Sequence, residues 1–252
     1  MARYFMELAY NGKNFHGWQV QPNAITVQEV LDDCMSKILG ENIHVVGCGR
    51  TDTGVHASYF VAHFESEKEA IDEALFCHKL NRFLSKDIVI YSLSRVDDDT
   101  HSRFSAISRT YEYRLVTVKN PFLQDLAYQS HTDLDFEAMN KAAGLLFNYK
   151  DFTSFSKLHT DVKTNNCKIA EAQWELKNDC WIFTIKADRF LRNMVRAIVG
   201  TLLAIGRGKM TLEEFCGVIE AKNRGKAGTS APAQALFLVD VSYPDDLFKR
   251  KL

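Results

Sequence analysis

The sequence predicts an α+β protein in which short strands and amphipathic helices follow one another along the whole chain. Apolar residues alternate in short runs such as residues 3–10, which is typical of strands, and recur every three or four positions in residues 26–39, which is typical of helices. The 252 residues are 46% hydrophobic and 25% charged. Such a chain can bury a sizeable core in one large domain or two ordinary ones.

The first hundred residues predict the element order β-α-β-β-α-β, which is that of ferredoxin-like domains. Thr26 is placed to cap the first helix, with Glu29 three residues further on, and Gly40 is placed to end it. The predicted elements are strand 3–10, helix 26–39, strands 43–49 and 57–65, helix 69–84 and strand 88–96.

The rest of the chain predicts a similar order of elements without a residue-level repeat. Residues 154–166 lack periodicity and predict a mobile loop. The domains are therefore expected at 1–104 and 105–252. The predicted elements are strand 107–118, helix 135–147, a hairpin of strands 168–176 and 180–187, helices 190–205 and 212–221, and strand 236–241.

Composition and motif searches exclude several classes of protein. No run of about eighteen apolar residues predicts a membrane span, and the first residues predict a strand, not a signal peptide. The six cysteines lack zinc-ligand spacing, which favours a reduced, cytoplasmic protein. Phosphate-loop, dinucleotide-binding, serine-elbow and zinc-helix motifs are missing from the sequence. If the protein is an enzyme, side-chain chemistry without a cofactor or metal is the remaining interpretation.

The run from Gly49 to Ala57 contains the best catalytic candidate. It places Asp52 between two threonines, in a loop between two predicted strands that would hold the carboxylate in place. Arg50 lies two residues away, so the two side chains would share a face of an extended segment and keep the carboxylate ionised, as a nucleophile or base requires. The alternative is an ordinary turn, in which Asp52 caps nearby N–H groups. His56 is expected to be a solvent-facing strand residue.

The segment Arg109–Arg114 places Tyr111 and Tyr113 among arginines on one predicted strand. This pattern suits stacking on RNA bases and contact with phosphates. Its alternative is plain strand propensity, because aromatic residues are common in strands.

Arginines also recur at positions 189, 192 and 196. Their spacing predicts one face of the helix 190–205, the rest of which is largely apolar. We expect Arg189 and Arg192 to contact RNA phosphates. The formal net charge of −1 leaves room for such a locally basic surface.

Short motifs occur in a fixed order along nearly the whole chain. They are Phe15–Gln21, Thr26–Gln28, Gly49–Ala57, Arg109–Tyr113, Phe152–Phe155, Phe190–Arg196 and Ala231–Ala233. Together they resemble the TruA family of tRNA pseudouridine synthases. Two positions depart from the family pattern, Thr53 where alanine is usual and Ala235 where glycine is usual.

This resemblance implies isomerisation of uridine to pseudouridine at positions 38 to 40 of the tRNA anticodon stem-loop, without a cofactor or essential metal. It also implies a homodimer of chains with two ferredoxin-like (RRM-like) α/β sandwich domains, whose mostly antiparallel sheets are joined around a central cleft. By the same resemblance, Asp52 is the catalytic residue, Tyr111 stacks on the target base, and Arg50 and Arg196 surround the flipped nucleotide.

Two other functions remain open at this point. A ferredoxin-like domain with aromatic residues on its sheet suits a non-catalytic RNA-binding module. A carboxylate also suits a nucleosidase, which would hydrolyse the same glycosidic bond. The role of Asp52 is open as well, between a nucleophile at C1′ and a base at the 2′ position.

Overall fold

A computed structural model describes residues 1–68, 70–157, 164–245 and 247. The chain forms two compact units, one made of residues 1–107 with 238–252 and the other of residues 108–237. Both units combine helices with mostly antiparallel strands, which confirms the α+β prediction. No helix among the described residues is long and apolar enough to cross a membrane.

Unit 1 is built on a sheet in which β1 lies between β3 and β4 and is antiparallel to both. The short strand β2 pairs antiparallel with β3. Aromatic side chains, among them Tyr4, Phe5, Phe60 and Phe64, fill its core. The elements are β1 Ala2–Tyr10, α1 Val27–Leu39, β2 Val46–Gly47, β3 His56–Ser66, α2 Glu73–Phe83 and β4 Ile88–Arg95.

Helix α1 begins and ends where the sequence predicts. The Thr26 hydroxyl accepts a hydrogen bond from the Glu29 N–H at 3.3 Å, and Gly40 adopts a left-handed conformation with φ 71°. The buried face includes Gln28, whose side-chain amide donates to the Val45 carbonyl at 2.7 Å. Val30 of the same helix is only half-buried.

Two predicted elements of unit 1 are wrong in extent. Of the predicted strand 43–49, only β2 forms, because side chains of α1 bond the backbone that would otherwise pair with another strand. The Asp32 carboxylate accepts a hydrogen bond from the Val45 N–H at 2.8 Å, and the Ser36 hydroxyl accepts one from the Ile43 N–H at 2.9 Å. The helix 69–84 begins only at Glu73, since the carboxylate of Asp72 caps it by accepting from the Leu75 N–H at 2.9 Å. Residue 69 lies outside the described residues.

In unit 2, β8 lies between β5 and β7 and is antiparallel to both, while β6 is parallel to β5. The β7–β8 turn contains Asn178 and Asp179, with φ 49° and 61°, as a two-residue hairpin requires. Helices α3 and α4 contact each other, and α3 packs on β7. The elements are β5 Ser108–Val116, β6 Tyr128–Gln129, α3 Phe136–Leu145, β7 Ile169–Lys177, β8 Cys180–Ala187, α4 Met194–Gly206 and α5 Leu212–Glu220.

The C-terminal strand β9, Leu236–Ser242, confirms the last predicted strand. Its first two residues belong to unit 2 and the others to unit 1. In the predicted loop 154–166, residues 158–163 lie outside the described residues. The described ends of this loop are tied together, because Asp151 and Asn166 form a β-bridge and the Phe152 N–H donates to the Asn165 carbonyl at 3.1 Å.

Candidate active site

Asp52 begins a tight turn in unit 1. Its carbonyl accepts a hydrogen bond from the Val55 N–H at 3.1 Å, and Gly54, the third residue of the turn, has φ 77°. A glycine with positive φ at that position is the signature of a type II turn. Thr51 is buried and its hydroxyl lies 2.9 Å from the Tyr10 hydroxyl, whereas Asp52 itself is half-buried. The Asp52 carboxylate therefore belongs to a turn that is anchored in the core through the preceding residue, Thr51.

A second loop, residues 11–22, holds the Asp52 turn through backbone contacts. The Trp18 N–H donates to the Thr51 carbonyl at 3.3 Å, and the Gly54 N–H donates to the Phe15 carbonyl at 3.3 Å. Both loops approach so closely that side chains do not fit: a Cβ at Gly12 would lie 2.0 Å from the Val55 carbonyl oxygen. Gly17, with φ 88°, would place a Cβ 2.4 Å from the Thr51 oxygen.

His56 corrects one expectation. It is buried, with 1% exposure, not solvent-facing, and its Nδ1 accepts a hydrogen bond from the Gly12 N–H at 3.1 Å. The nitrogen Nδ1 is therefore unprotonated, and the ring joins the end of the Asp52 turn to loop 11–22. Sequence reasoning missed this role of His56 and the contacts of Gly12 and Gly17. The glycines of loop 11–22 were a visible signal, but nothing in the sequence identifies the segment they approach.

Trp18 anchors loop 11–22 from the other side. Its ring is 2% exposed and stacks on Phe60 of β3 with 4.2 Å between ring centroids. A Cβ at Gly47 would lie 2.6 Å from this ring, so β2 also packs directly against it. Arg50, in contrast, is exposed to solvent at the start of the Asp52 loop. It is available to a ligand there.

Tyr111 and Tyr113 lie on β5 in unit 2, but their surroundings differ. Tyr113 is completely buried, and burial raises the pKa of its hydroxyl well above the usual value, with Tyr128 adding to the shift and Arg196 opposing it. It has no surface to offer a base. Tyr111 is only half-buried and meets Phe190 edge-on, with 5.1 Å between ring centroids and an interplanar angle of 88°. Only Tyr111 is therefore suited to stacking.

The predicted helical face of three arginines is wrong. Helix α4 begins at Met194, and Asn193 before it has the left-handed φ of 65°, so Arg189 and Arg192 precede the helix. Contacts with distant residues hold this segment in a non-helical path. The carboxylate of Asp188 accepts from the Lys168 and Arg189 N–H groups, both at 2.7 Å, and the Arg192 carbonyl accepts from Lys157 N–H at 3.0 Å. Arg192 is exposed and Arg189 half-buried.

Arg196 lies in the first turn of α4 and is half-buried. Its Nε donates to the Ala231 carbonyl at 2.8 Å, and the Ala231 N–H donates back to the Arg196 carbonyl at 2.9 Å. The segment before Ala231 packs directly on the same helix, because a Cβ at Gly200 would lie 1.8 Å from the Thr229 carbonyl oxygen. The motif Ala231–Ala233 thus positions Arg196, a role that its sequence alone does not reveal.

No group of three or more histidine, cysteine or acidic residues in the described part of the chain is arranged to hold a metal ion. The six cysteines, at positions 34, 48, 77, 167, 180 and 216, are free thiols, and burial raises the pKa of Cys167 to about 12. Burial also raises the pKa of the Cys34, Cys77 and Cys180 thiols, so these three and Cys167 are protonated at neutral pH and unsuited to nucleophilic attack.

Comparison with known proteins identifies the family. The family described as tRNA pseudouridine synthase matches residues 8–105 and 142–244. A protein named tRNA pseudouridine synthase A from Parabacteroides distasonis is 57% identical over 248 residues, which cover 98% of each chain. Two further proteins of the same name also match. The one from Bacteroides fragilis is 56% identical, with 99% of each chain covered. The one from Thermoanaerobacter pseudethanolicus is 39% identical, with 96% of this chain and 100% of the relative covered.

These matches extend over both compact units and include the Asp52 turn, the non-helical arginine segment and Arg196. They confirm the resemblance predicted from the ordered sequence motifs. The chain therefore belongs to the tRNA pseudouridine synthase family, whose members are isomerases.

Proposed function

We propose that this protein isomerises uridine to pseudouridine at positions 38 to 40 of the tRNA anticodon stem-loop, with Asp52 as its catalytic residue and without a cofactor. The observation that carries the proposal is a half-buried carboxylate on a turn locked by loop 11–22, in a chain of this family. A non-catalytic RNA-binding module has no need of such a fixed carboxylate, which repels phosphates.

The reaction requires the N1–C1′ bond to break, the uracil ring to rotate, and C5 to bond to C1′. We assign Asp52 as the base that removes the C2′ proton while the N1–C1′ bond breaks, and that returns it when the C5–C1′ bond forms. The hydrogen of C5 is lost and N1 gains a proton, so the product is an isomer of the substrate. A kinetic isotope effect with C2′-deuterated uridine supports this assignment, and its absence favours attack by Asp52 on C1′.

The target base must leave its stack, which requires a few kcal/mol and a replacement surface. Tyr111 supplies that surface in our proposal, since it is half-buried and braced by Phe190. Arg196, oriented by Ala231, and the exposed Arg50 hold the flipped nucleotide. Arg189 and Arg192 contact RNA phosphates from the segment before α4, without sharing a helical face.

We also propose a cytoplasmic homodimer whose subunits contain two ferredoxin-like domains, 1–104 and 105–252, around a central cleft that receives tRNA. In unit 1, β1 lies between β4 and β3, β2 pairs with β3, and the elements follow one another as β-α-β-β-α-β, which supports the ferredoxin-like assignment of the first domain. Light scattering of the purified protein tests the dimer, and a monomeric mass at working concentration contradicts it.

The function is tested by incubating pure protein with unmodified tRNA and mapping pseudouridine along the product. We expect pseudouridine at positions 38 to 40 and no released base. Free uracil with an abasic tRNA would instead identify a nucleosidase. Binding of tRNA without any change to it would identify an RNA-binding module.

A further inference from the structure

A cleft of about 330 Å³ lies in unit 2 beside the C-terminal end of α4. None of the site residues described above contributes to it. Its lining residues are Tyr128, His131, Thr132, Asp133, Arg207 and Lys209.

Both walls of the cleft are fixed by contacts within unit 2. On the helix side, the Gly206 carbonyl accepts from the Asp135 N–H at 2.9 Å, and a Cβ at Gly206 would lie 2.4 Å from the sulfur of Met139. On the other side, the Ser130 N–H donates to the Val116 carbonyl at 2.9 Å, and the Ser130 hydroxyl donates to the Thr132 carbonyl at 2.9 Å. The cleft is therefore formed before any ligand arrives.

The charges in the cleft favour an anion. The cleft contains two cationic side chains, Arg207 and Lys209, and a single carboxylate, that of Asp133. Neither cation forms an ion pair with any residue that the structure describes. Two lysines elsewhere in unit 2 are instead neutralised by neighbours, in the 2.7 Å pairs Lys141–Glu137 and Lys177–Glu175. The cleft thus keeps two cationic groups available in a concave site.

Arg207 is also held in position. Its Nη2 donates to the Tyr128 hydroxyl at 3.0 Å, which leaves the other guanidinium N–H groups for a ligand. The Tyr128 hydroxyl uses a lone pair in this bond and keeps its own proton to donate. A planar guanidinium with a neighbouring hydroxyl and ammonium group suits the oxygen atoms of a phosphate.

We propose that this cleft binds a backbone phosphate of the RNA substrate through Arg207, Lys209 and the Tyr128 hydroxyl. The proposal rests on the proposed function, because it takes tRNA as the ligand. Arg207 lies most of the length of α4 beyond Arg196, roughly 16 Å at 1.5 Å per residue. The phosphate held here therefore belongs to a different nucleotide from the one assigned to Arg196, so the cleft contributes to affinity and not to the chemical step.

The test is equilibrium binding of tRNA over a series of salt concentrations, with Lys209→Gln, Arg207→Gln and Asp133→Asn. Loss of one phosphate contact lowers the slope of log affinity against log salt by about 1. We expect Lys209→Gln and Arg207→Gln each to lower this slope and to weaken binding by roughly threefold to fivefold. Asp133→Asn removes the opposing charge and should strengthen binding. Lys141→Gln, a neutralised lysine outside the cleft, is the matched control and should leave both quantities unchanged.

Several outcomes overturn the proposal. If wild-type protein binds tRNA but Lys209→Gln and Arg207→Gln keep its affinity and salt slope, the cleft does not bind RNA, while the proposed function stands. If wild-type protein does not bind tRNA, the proposed function itself fails. Titration with inorganic phosphate tests whether the ligand is a free phosphate ion and not an RNA phosphate. If Arg207→Gln abolishes phosphate binding and leaves tRNA affinity unchanged, the cleft binds a free anion.

Discussion

The Asp52 turn and the segment 188–193 both present charged side chains from irregular backbone, but different signals determine their shapes. At the Asp52 turn, local turn chemistry and long-range contacts agree: Gly54 provides the positive φ and loop 11–22 holds the turn from outside. In segment 188–193, the local pattern favours a helix, yet hydrogen bonds to residues 157 and 168 hold it in a non-helical path. Helical spacing of charged residues is therefore weak evidence when distant backbone groups compete for the same segment.

Among the changes that probe this comparison of the two regions, the largest effect is expected from breaking the contact that locks the Asp52 turn. Gly12→Ala would place a Cβ 2.0 Å from the Val55 carbonyl oxygen, so the two loops must separate. We expect a loss of stability of about 2–4 kcal/mol and a fall in turnover of at least about a hundredfold, because a displaced carboxylate misses its target atom. Urea unfolding and single-turnover pseudouridine formation measure the two quantities.

Gly144→Ala is the matched control for this substitution. Gly144 lies in α3 with nothing within 4 Å of an added Cβ. Alanine there should stabilise the protein by about 0.5–1 kcal/mol and leave turnover unchanged. If Gly12→Ala behaved like Gly144→Ala, the turn would not depend on loop 11–22.

The next effect concerns Tyr111, which is braced by Phe190 of segment 188–193. Tyr111→Ala removes the stacking surface and should reduce turnover by roughly ten- to hundredfold, since base–aromatic stacking contributes about 1–3 kcal/mol. Tyr111→Phe keeps the ring and should retain most activity. Equal turnover of the Tyr111→Ala and wild-type proteins would show that Tyr111 does not stack on the target base.

A pH-dependent effect is expected on β3, the strand that follows the Asp52 turn. Burial lowers the pKa of His63 from 6.5 to about 4, with the nearby His101 and Arg3 adding to the shift. Its Nδ1 accepts from the Ser102 N–H at 3.2 Å, a bond that only the unprotonated nitrogen makes. Because the folded pKa is the lower one, the stabilisation is complete above pH 6.5 and is lost progressively as pH falls towards 4.

The full loss amounts to about 3 kcal/mol, at 1.36 kcal/mol per pKa unit. The pKa of His101 is lowered as well, which adds a contribution of the same sign. Urea unfolding between pH 7 and 4.5 measures the slope, with His63→Gln as the comparison. A wild-type slope no steeper than that of His63→Gln would show that His63 is not buried in its neutral form.

The smallest effect is expected at Arg192, the exposed arginine of segment 188–193. Arg192→Gln should weaken tRNA binding by no more than about fivefold and lower the salt slope by about 1, with turnover at saturating tRNA preserved. An unchanged slope would assign Arg192 a structural role through its carbonyl bond to Lys157.

Much of the architecture followed from the sequence where local signals agree with the fold. The capped ends of α1 and the Asn178–Asp179 hairpin are examples, because residues within a few positions determine them. The strand 43–49 and the start of α4 were wrong, since the distant Asp32 carboxylate bonds the Val45 N–H and the distant Lys157 N–H bonds the Arg192 carbonyl. At the site, the sequence indicated Asp52 and Tyr111, but not the burial of His56 or the pairing of Arg196 with Ala231, which only tertiary contacts create.

The most direct test of the central claim is Asp52→Asn, which keeps the shape of the side chain and removes its charge. Pseudouridine formation and tRNA affinity should be measured on the same preparation, with Asp33→Asn, an exposed aspartate paired with Lys37 at 2.7 Å, as the control. We predict that Asp52→Asn binds tRNA within a few-fold of wild type and forms no pseudouridine, while Asp33→Asn retains activity. Pseudouridine formation by Asp52→Asn at the wild-type rate would contradict the assignment of Asp52 as the catalytic residue.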